Sequence, residues 1–167
     1  MTFEFVHGCE IEELGEYFKR IGLTIGETER RLITENSERL IVWRENGIIV
    51  GHSIWHSSNT KVHPDGEPRE PDDRRILEDE LGVKGDFIEL REIWLSEETR
   101  GKGYGKQFFD YFENMVRQKE YRSIVYYADH PAAMSICRRR GYNEAYGLEL
   151  DGITGQRSTF YVLSHSL

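Results

Sequence analysis

From position 93 to position 106 the chain reads Ile-Trp-Leu-Ser-Glu-Glu-Thr-Arg-Gly-Lys-Gly-Tyr-Gly-Lys, and this segment limits the fold more than any other. Its start suits a strand. Beyond it Phe108, Phe109, Phe112, Met115 and Val116 recur at helical spacing, which predicts a helix over residues 103–120. That helix opens inside a glycine-rich loop. Its first backbone N–H groups have no helical partner, and they sit at the positive end of the helix dipole, where an anion is favoured. Arg100, Lys102 and Lys106 add cationic side chains. Glycine admits backbone angles that other residues resist and lets a ligand approach the main chain. The segment therefore suits a phosphate or pyrophosphate held between a strand and a helix.

The flanking sequence supplies more strands and helices. Residues 2–6 suit a short strand, and Ile11, Leu14, Tyr17, Phe18 and Ile21 mark a helix with acidic residues in its first turn and Gly22 after its end. Residues 27–35 form a weaker helix pattern. Residues 40–43 and 48–55 are β-branched or aromatic, and Asn46-Gly47 between them suits a type I′ hairpin turn. Strands are expected again over residues 87–95, 123–128, 144–150 and 158–163. A second helix starts at Asp129 or His130 with Pro131 in its first turn and ends at Gly141. The order β-α-α-β-β-(insertion)-β-α-β-α-β-β implies an α/β (α+β) domain whose mixed sheet is covered by helices.

A length of 167 residues fits one domain spanning residues 1–167. Residues 57–86 form a polar insertion with three of the four prolines and a short amphipathic stretch over residues 72–81. Between Asn59 and Asp86, nine acidic and five basic residues give −4, half of the total charge of −8. The insertion reads either as a solvated loop or as an acidic lid over a substrate site, in both cases peripheral to the core. A net charge of −8 argues against general affinity for phosphate backbones or anionic membranes, so neither a nucleic acid nor a membrane is expected as partner. A cationic or small partner fits better. Cys9 and Cys137 are the only cysteines and have neither metal nor redox spacing. No apolar run is long enough to span a membrane, no leader pattern opens the chain, and a reduced cytoplasmic protein is the simplest expectation. No His/Cys/Asp spacing suggests a metal.

The phosphate ligand can be narrowed. GxxxxGK[ST] fails on spacing and on its Lys-Ser/Thr pair, and GxGxxG fails because Lys106 stands where the third glycine belongs. Arg-x-x-Gly-x-Gly does fit, as Arg100, Gly103 and Gly105. Placed after a strand and opening an amphipathic helix, it resembles the acyl-CoA signature of the GNAT superfamily of N-acyltransferases. The likeness is strong over residues 87–142, where strand, loop, helix, strand and helix follow the family order. It implies a GNAT-type, largely antiparallel mixed sheet. It also implies that Ile93, Trp94 and Leu95 offer main-chain groups to the pantetheine arm, while Arg100, Gly101, Lys102, Gly103, Tyr104, Gly105 and Lys106 hold the pyrophosphate. A bulge near Leu95 would open the sheet there, and the Leu95 amide would polarise the thioester carbonyl.

Acyl transfer to an amine needs a base for the ammonium proton and a donor for the departing thiolate. Glu89 and Glu92 lie on the strand before the loop, and strict alternation lets only one of them face an acceptor. Glu89 stands where several histone-acetylating relatives carry their base and is preferred, with a salt bridge to Arg91 or a neighbouring strand as the bland reading. Cys137 stands at the place of the tyrosine often assigned as general acid, and His130 at that of an asparagine that contacts pantetheine. Cys137 could donate a proton or serve as a small core residue, in which case Tyr126, Tyr127, Tyr142 or water takes over. Arg138, Arg139 and Arg140 read mostly as a solvated face. The resemblance thus implies an acetyl-CoA-dependent N-acetyltransferase acting on a small-molecule or peptide amine of cationic character. A CoA-binding module without turnover is the first rival, a nucleic-acid-associated protein the second. Homodimer formation is left open.

Overall fold

In a computed structural model that describes residues 2–167, the chain forms β1 (Phe3–His7), α1 (Ile11–Ile21), α2 (Glu27–Glu35), β2 (Leu40–Glu45), β3 (Ile48–Asn59), α3 (Pro71–Arg75), β4 (Asp86–Leu95), α4 (Tyr104–Gln118), β5 (Ser123–Tyr127), α5 (Pro131–Arg139), β6 (Asn143–Leu150) and β7 (Arg157–Ser166). The element order is the expected one. The strands lie in a mixed sheet ordered β1-β2-β3-β4-β5-β7-β6, with helices flanking it. β4 and β5 run parallel, while β1–β2, β2–β3, β5–β7 and β6–β7 are antiparallel.

The fold divides into two compact units. One holds the chain up to His56 together with Arg91–Phe108, and the other holds Ser57–Leu90 with Phe109–Leu167. In the first, Asn46 and Gly47 both take positive φ, 52° and 83°, and close the β2–β3 hairpin as their sequence predicts. Tyr17 and Phe18 of α1 pack with Leu40, Val42, Ile49 and Ile54 of the strands. Each fully buried side chain of this size contributes about 1.5–3 kcal/mol of hydrophobic stabilisation. Trp43 is buried as well and stacks on Phe108 at 4.8 Å between ring centroids. A Cβ on Gly51 would lie 2.8 Å from the Trp94 carbonyl oxygen and 3.0 Å from the Trp43 ring. Only glycine lets β3 approach β4 this closely, and the Ser96 amide bonds the Val50 carbonyl at 3.1 Å beside it.

In the second unit the insertion departs from its expected peripheral place. Ile76, Leu77, Leu81 and Val83 form one buried cluster with Phe87, Val125, Ala145 and Val162. α3 runs on into a wider π-helical turn over Ile76–Glu80, which turns these apolar residues inward. Arg69 anchors the polar half of the insertion. Its guanidinium is buried and bonds the Asn59 carbonyl at 3.0 Å, Ser58 Oγ at 2.7 Å and Asp73 Oδ2 at 2.7 Å. The low hydrophobicity of residues 57–75 hides this role from a reading by composition.

Arg138 and Arg139 are exposed, as expected of a run that is mostly a solvated face, and Arg140 is the exception. Arg140 is half-buried and forks onto both carboxylate oxygens of buried Glu113, at 2.6 and 2.9 Å, and onto Asp110 at 2.9 Å. Arg138 grips Glu144 in the same two-pronged way, at 2.6 and 2.9 Å. Arg139 has no carboxylate partner among the described residues and reaches Ser135 Oγ at 3.4 Å.

Candidate active site

The strand, loop and helix expected around residues 93–106 lie within the first unit as a continuous path. After Leu95 a short 3-10 turn, Glu97–Thr99, is closed by the Thr99 hydroxyl donating to the Ser96 carbonyl at 2.9 Å. Gly101 and Gly103 then take φ of 86° and 80°, and α4 begins at Tyr104. A Cβ at either glycine would meet nothing within 4 Å, so the backbone conformation and not crowding requires glycine there. The loop cations are partly neutralised. Arg100 reaches Glu97 at 3.5 Å and the Leu95 carbonyl at 3.4 Å, and Lys102 meets Glu45 at 3.0 Å. Glu45 also accepts the Tyr104 hydroxyl, and these two donors, Tyr104 first, hold its carboxyl below the usual range. An incoming anion must draw Lys102 and Arg100 away from carboxylates, which leaves the main-chain amides as the site's standing attraction.

β4 passes both glutamates weighed as the base. Its pairing with β5 covers Ile88 to Leu90 and ends there, with Leu90 opposite Tyr126. Glu89 is buried, 6% exposed, and its charge acts on Tyr127. Arg91 pairs with Glu29 at 3.1 Å. Glu92 is a quarter accessible through its side chain and meets His52 Nε2 at 2.5 Å. The other ring nitrogen of His52 lies 2.8 Å from the Tyr17 hydroxyl. Trp94, two residues on, packs edge-on against Tyr17 at 6.2 Å. Sequence reasoning missed His52 and Tyr17. In the sequence Tyr17 falls in an apolar helix stripe, and the one available signal is a histidine inside the mainly apolar run Ile48–Trp55.

The acid candidates lie in the second unit. Cys137 is fully buried, and burial, followed by the charge of Glu113, pushes its thiol up to about 12. It keeps its proton at neutral pH inside the core. The three tyrosines weighed in its place are each committed to a carboxylate: Tyr126 to Asp129 at 2.5 Å, Tyr127 to Asp73 at 2.7 Å and Tyr142 to Glu113 at 2.8 Å. His130 is the N-cap residue of α5, with Pro131 in the first turn, but its side chain makes no capping hydrogen bond.

A cavity of about 480 Å³ opens in the second unit between α3, β5 and the β6–β7 hairpin. Tyr127, Phe160 and Tyr161 give it aromatic walls, and Glu70, Asp72, Asp73 and Glu149 give it acidic edges. Asp73 is occupied by Arg69 and Glu70 by His63. The Asp72 and Glu149 carboxylates face the solvent with no protein partner among the described residues. A second cavity, about 610 Å³, lies between α1 and α2 of the first unit and is mainly aliphatic, with Leu14, Phe18, Ile25 and Ile33 on its walls.

The model of the acetyltransferase (GNAT) family matches residues 6–142, most of the chain and all of the strand, glycine loop and helix described above. The chain belongs to the GNAT acetyltransferase family. Solved GNAT structures overlay nearly the whole of it. The apo form of an agmatine N-acetyltransferase mutant aligns with a TM-score of 0.70 at 13% identity, covering 99% of this chain and 100% of that one. A polyamine N-acetyltransferase from Drosophila melanogaster, which forms N-acetylagmatine, gives 0.68 at 10% identity with the same coverage. The NatC complex bound to Gag peptide and CoA gives 0.67 at 12% identity, covering 100% of this chain and 99% of that one. Identities this low show a shared GNAT fold. No curated protein sequence matches the chain. Among the described residues, no GNAT element is a helix long and apolar enough to cross a membrane, no group of side chains forms a metal site, and both cysteines are free thiols.

Proposed function

We propose that this protein is an N-acetyltransferase that moves the acetyl group of acetyl-CoA directly onto a cationic primary amine. The observation that carries the reading is the junction of β4 and α4, where two left-handed glycines deliver the chain to the start of a helix. In this reading the pyrophosphate of CoA binds the amides of Gly101 to Lys106, with Arg100, Lys102 and Lys106 released toward it. The pantetheine arm lies along Ile93, Trp94 and Leu95 of β4. The Leu95 amide polarises the thioester carbonyl, and His130 keeps the pantetheine-contacting role that the family resemblance gives it.

The acidic, aromatic cavity of the second unit has by itself the chemistry of an amine site. Carboxylates attract an ammonium or guanidinium group, and aromatic faces add cation–π attraction. Agmatine and polyamine, the acceptors named for two structural neighbours, have this chemistry. A carboxylate of β4, Glu89 or Glu92, takes the ammonium proton. Cys137 is too deeply buried to serve as proton donor in this scheme, and water protonates the departing thiolate.

Thiol release from acetyl-CoA across lysine peptides, protein N-termini, polyamines and aminoglycosides tests the reading. Release that depends on one amine class is expected. CoA binding with no acetyl transfer to any amine would identify a binding module instead.

A further inference from the structure

His52 is fully buried on β3, yet both of its ring nitrogens are engaged by polar side chains. A carboxylate only accepts, so the Nε2 that lies 2.5 Å from Glu92 carries a hydrogen. In the neutral ring Nδ1 is then an acceptor, and the Tyr17 hydroxyl donates to it at 2.8 Å. The result is a directed chain from α1 through β3 to β4: Tyr17 O–H to His52, and His52 N–H to Glu92 Oε2. Tyr17 is well suited to remain the donor. Burial first, then the negative charge of Glu92, raise its hydroxyl far above the ordinary value, so it is protonated at any working pH. Arg20 fixes it from outside, with the guanidinium 5.6 Å from the Tyr17 ring centroid and a 2.7 Å bond to the Ile49 carbonyl.

We propose that Glu92 is the base that takes the acceptor's ammonium proton, and that His52 and Tyr17 are the positioning residues that hold its carboxylate for that step; the inference rests on the acetyl-transfer reading above. Three observations favour Glu92 over Glu89. Its side chain is a quarter accessible, whereas Glu89 is only 6% exposed. Its Oε1 has no protein partner among the described residues, so one oxygen is anchored and the other is open to an acceptor. It immediately precedes Ile93, where the proposed pantetheine segment starts. A base must stand within hydrogen-bond reach of the proton it removes, directly or through one water.

The step balances as follows. Glu92 takes one proton from R–NH₃⁺ and becomes a carboxylic acid, giving R–NH₂. The amine nitrogen bonds to the thioester carbonyl carbon, the C–S bond breaks, and the CoA thiolate receives the second nitrogen proton through water. Glu92 returns its proton to solvent, so each turnover yields an acetamide, CoA–SH and one H⁺. His52 keeps its proton throughout. Its part is to hold Oε2 and orient Oε1.

The test uses the full chain with acetyl-CoA and 1,5-diaminopentane, comparing Glu92→Gln, Glu89→Gln, His52→Gln and His52→Leu. Glu92→Gln is expected to lower kcat by about 10²–10³-fold, the usual worth of a positioned base, with the KM for acetyl-CoA unchanged. Glu89→Gln is expected to change kcat only a few-fold on the same scale. His52→Gln retains a side-chain N–H for Glu92 and His52→Leu does not, so the glutamine variant should keep about tenfold more kcat than the leucine variant. Should Glu92→Gln fail to fold by circular dichroism, Glu92→Asp replaces it, and a kcat below wild type with unchanged KM for acetyl-CoA is expected from its shorter reach. Full kcat in Glu92→Gln or Glu92→Asp, or a collapse confined to Glu89→Gln, overturns the assignment of Glu92. Equal losses in His52→Gln and His52→Leu overturn the positioning role. A wild-type protein that acetylates no amine overturns the acetyl-transfer reading itself, and this inference with it.

Discussion

Glu92 Oε2 and His52 Nε2 lie 2.5 Å apart on neighbouring strands, with the imidazole fully buried and the glutamate side chain a quarter accessible. The pairing gives the buried ring an acceptor for its N–H and gives the carboxylate a fixed orientation. Burying the ring without both partners would cost about 1–3 kcal/mol for each unsatisfied group. The fold therefore keeps this polar chain only because Tyr17 and Glu92 close it at both ends.

Gly103 requires a left-handed backbone, and nothing crowds its Cβ position. Gly103→Val should therefore act on the loop conformation and not on the core. Calorimetric titration is expected to show CoA affinity reduced by at least about tenfold, since the strained backbone must leave the geometry that presents the amides, at a cost of about 1–2 kcal/mol. Unchanged CoA affinity would mean that this loop does not hold the pyrophosphate.

Leu77 comes from a segment whose composition marks it as surface, yet it is fully buried in the second unit. Leu77→Ala is expected to destabilise the protein by about 2–5 kcal/mol in denaturant unfolding, the range for a large-to-small core change. A loss below about 0.5 kcal/mol, typical of surface positions, would return the insertion to the periphery.

Glu113 makes stability depend on pH. Burial raises its pKa, but the hydrogen bonds from Arg140 and Tyr142 outweigh burial and hold it below the ordinary 4.5. A carboxylate with a depressed folded-state pKa contributes stability that is present above the unfolded value and disappears as pH falls through the folded one. Glu113→Gln should thus cost about 1–3 kcal/mol at neutral pH, since Arg140 and Tyr142 lose their charged acceptor while Arg140 keeps Asp110. The gap between variant and wild type should narrow as pH drops below 4.5. A gap that stays constant from neutral to acid pH would show that the charge of Glu113 is not what stabilises the unit.

Asp72 and Glu149 carry the open carboxylates of the acidic cavity. Wild type should acetylate 1,5-diaminopentane with a kcat/KM about tenfold above that for pentylamine, the worth of one charge-assisted contact. The double variant Asp72→Asn, Glu149→Gln should lose that preference while keeping its rate with pentylamine. A preference that survives the double substitution would place the acceptor's second charge elsewhere.

The parts of this fold that were legible in the sequence are those where local chemistry decides the backbone. Asn46-Gly47 dictates a hairpin turn, Gly101 and Gly103 dictate left-handed positions, and the stripe from Phe108 to Val116 dictates the helix they introduce. What escaped depends on residues distant in the chain. Leu77 is core because β5 and the β6–β7 hairpin cover it, and Arg140 is half-buried because Glu113 lies across from it. At the candidate site, the glycine loop was legible as an anion site, whereas the neutralising role of Glu45 was not, since it is 57 residues from Lys102. Strict alternation along β4 set Glu89 against Glu92. It could not show that His52, 40 residues earlier, holds Glu92.

The most direct measurement is mass-spectrometric analysis of 1,5-diaminopentane after incubation with the protein and acetyl-CoA, with CoA–SH measured in the same sample. The account predicts mono-acetylated diamine and free CoA–SH in equal amounts, both absent without the protein. Tight binding of CoA together with unmodified diamine, and with every other amine of the panel unmodified, would contradict it.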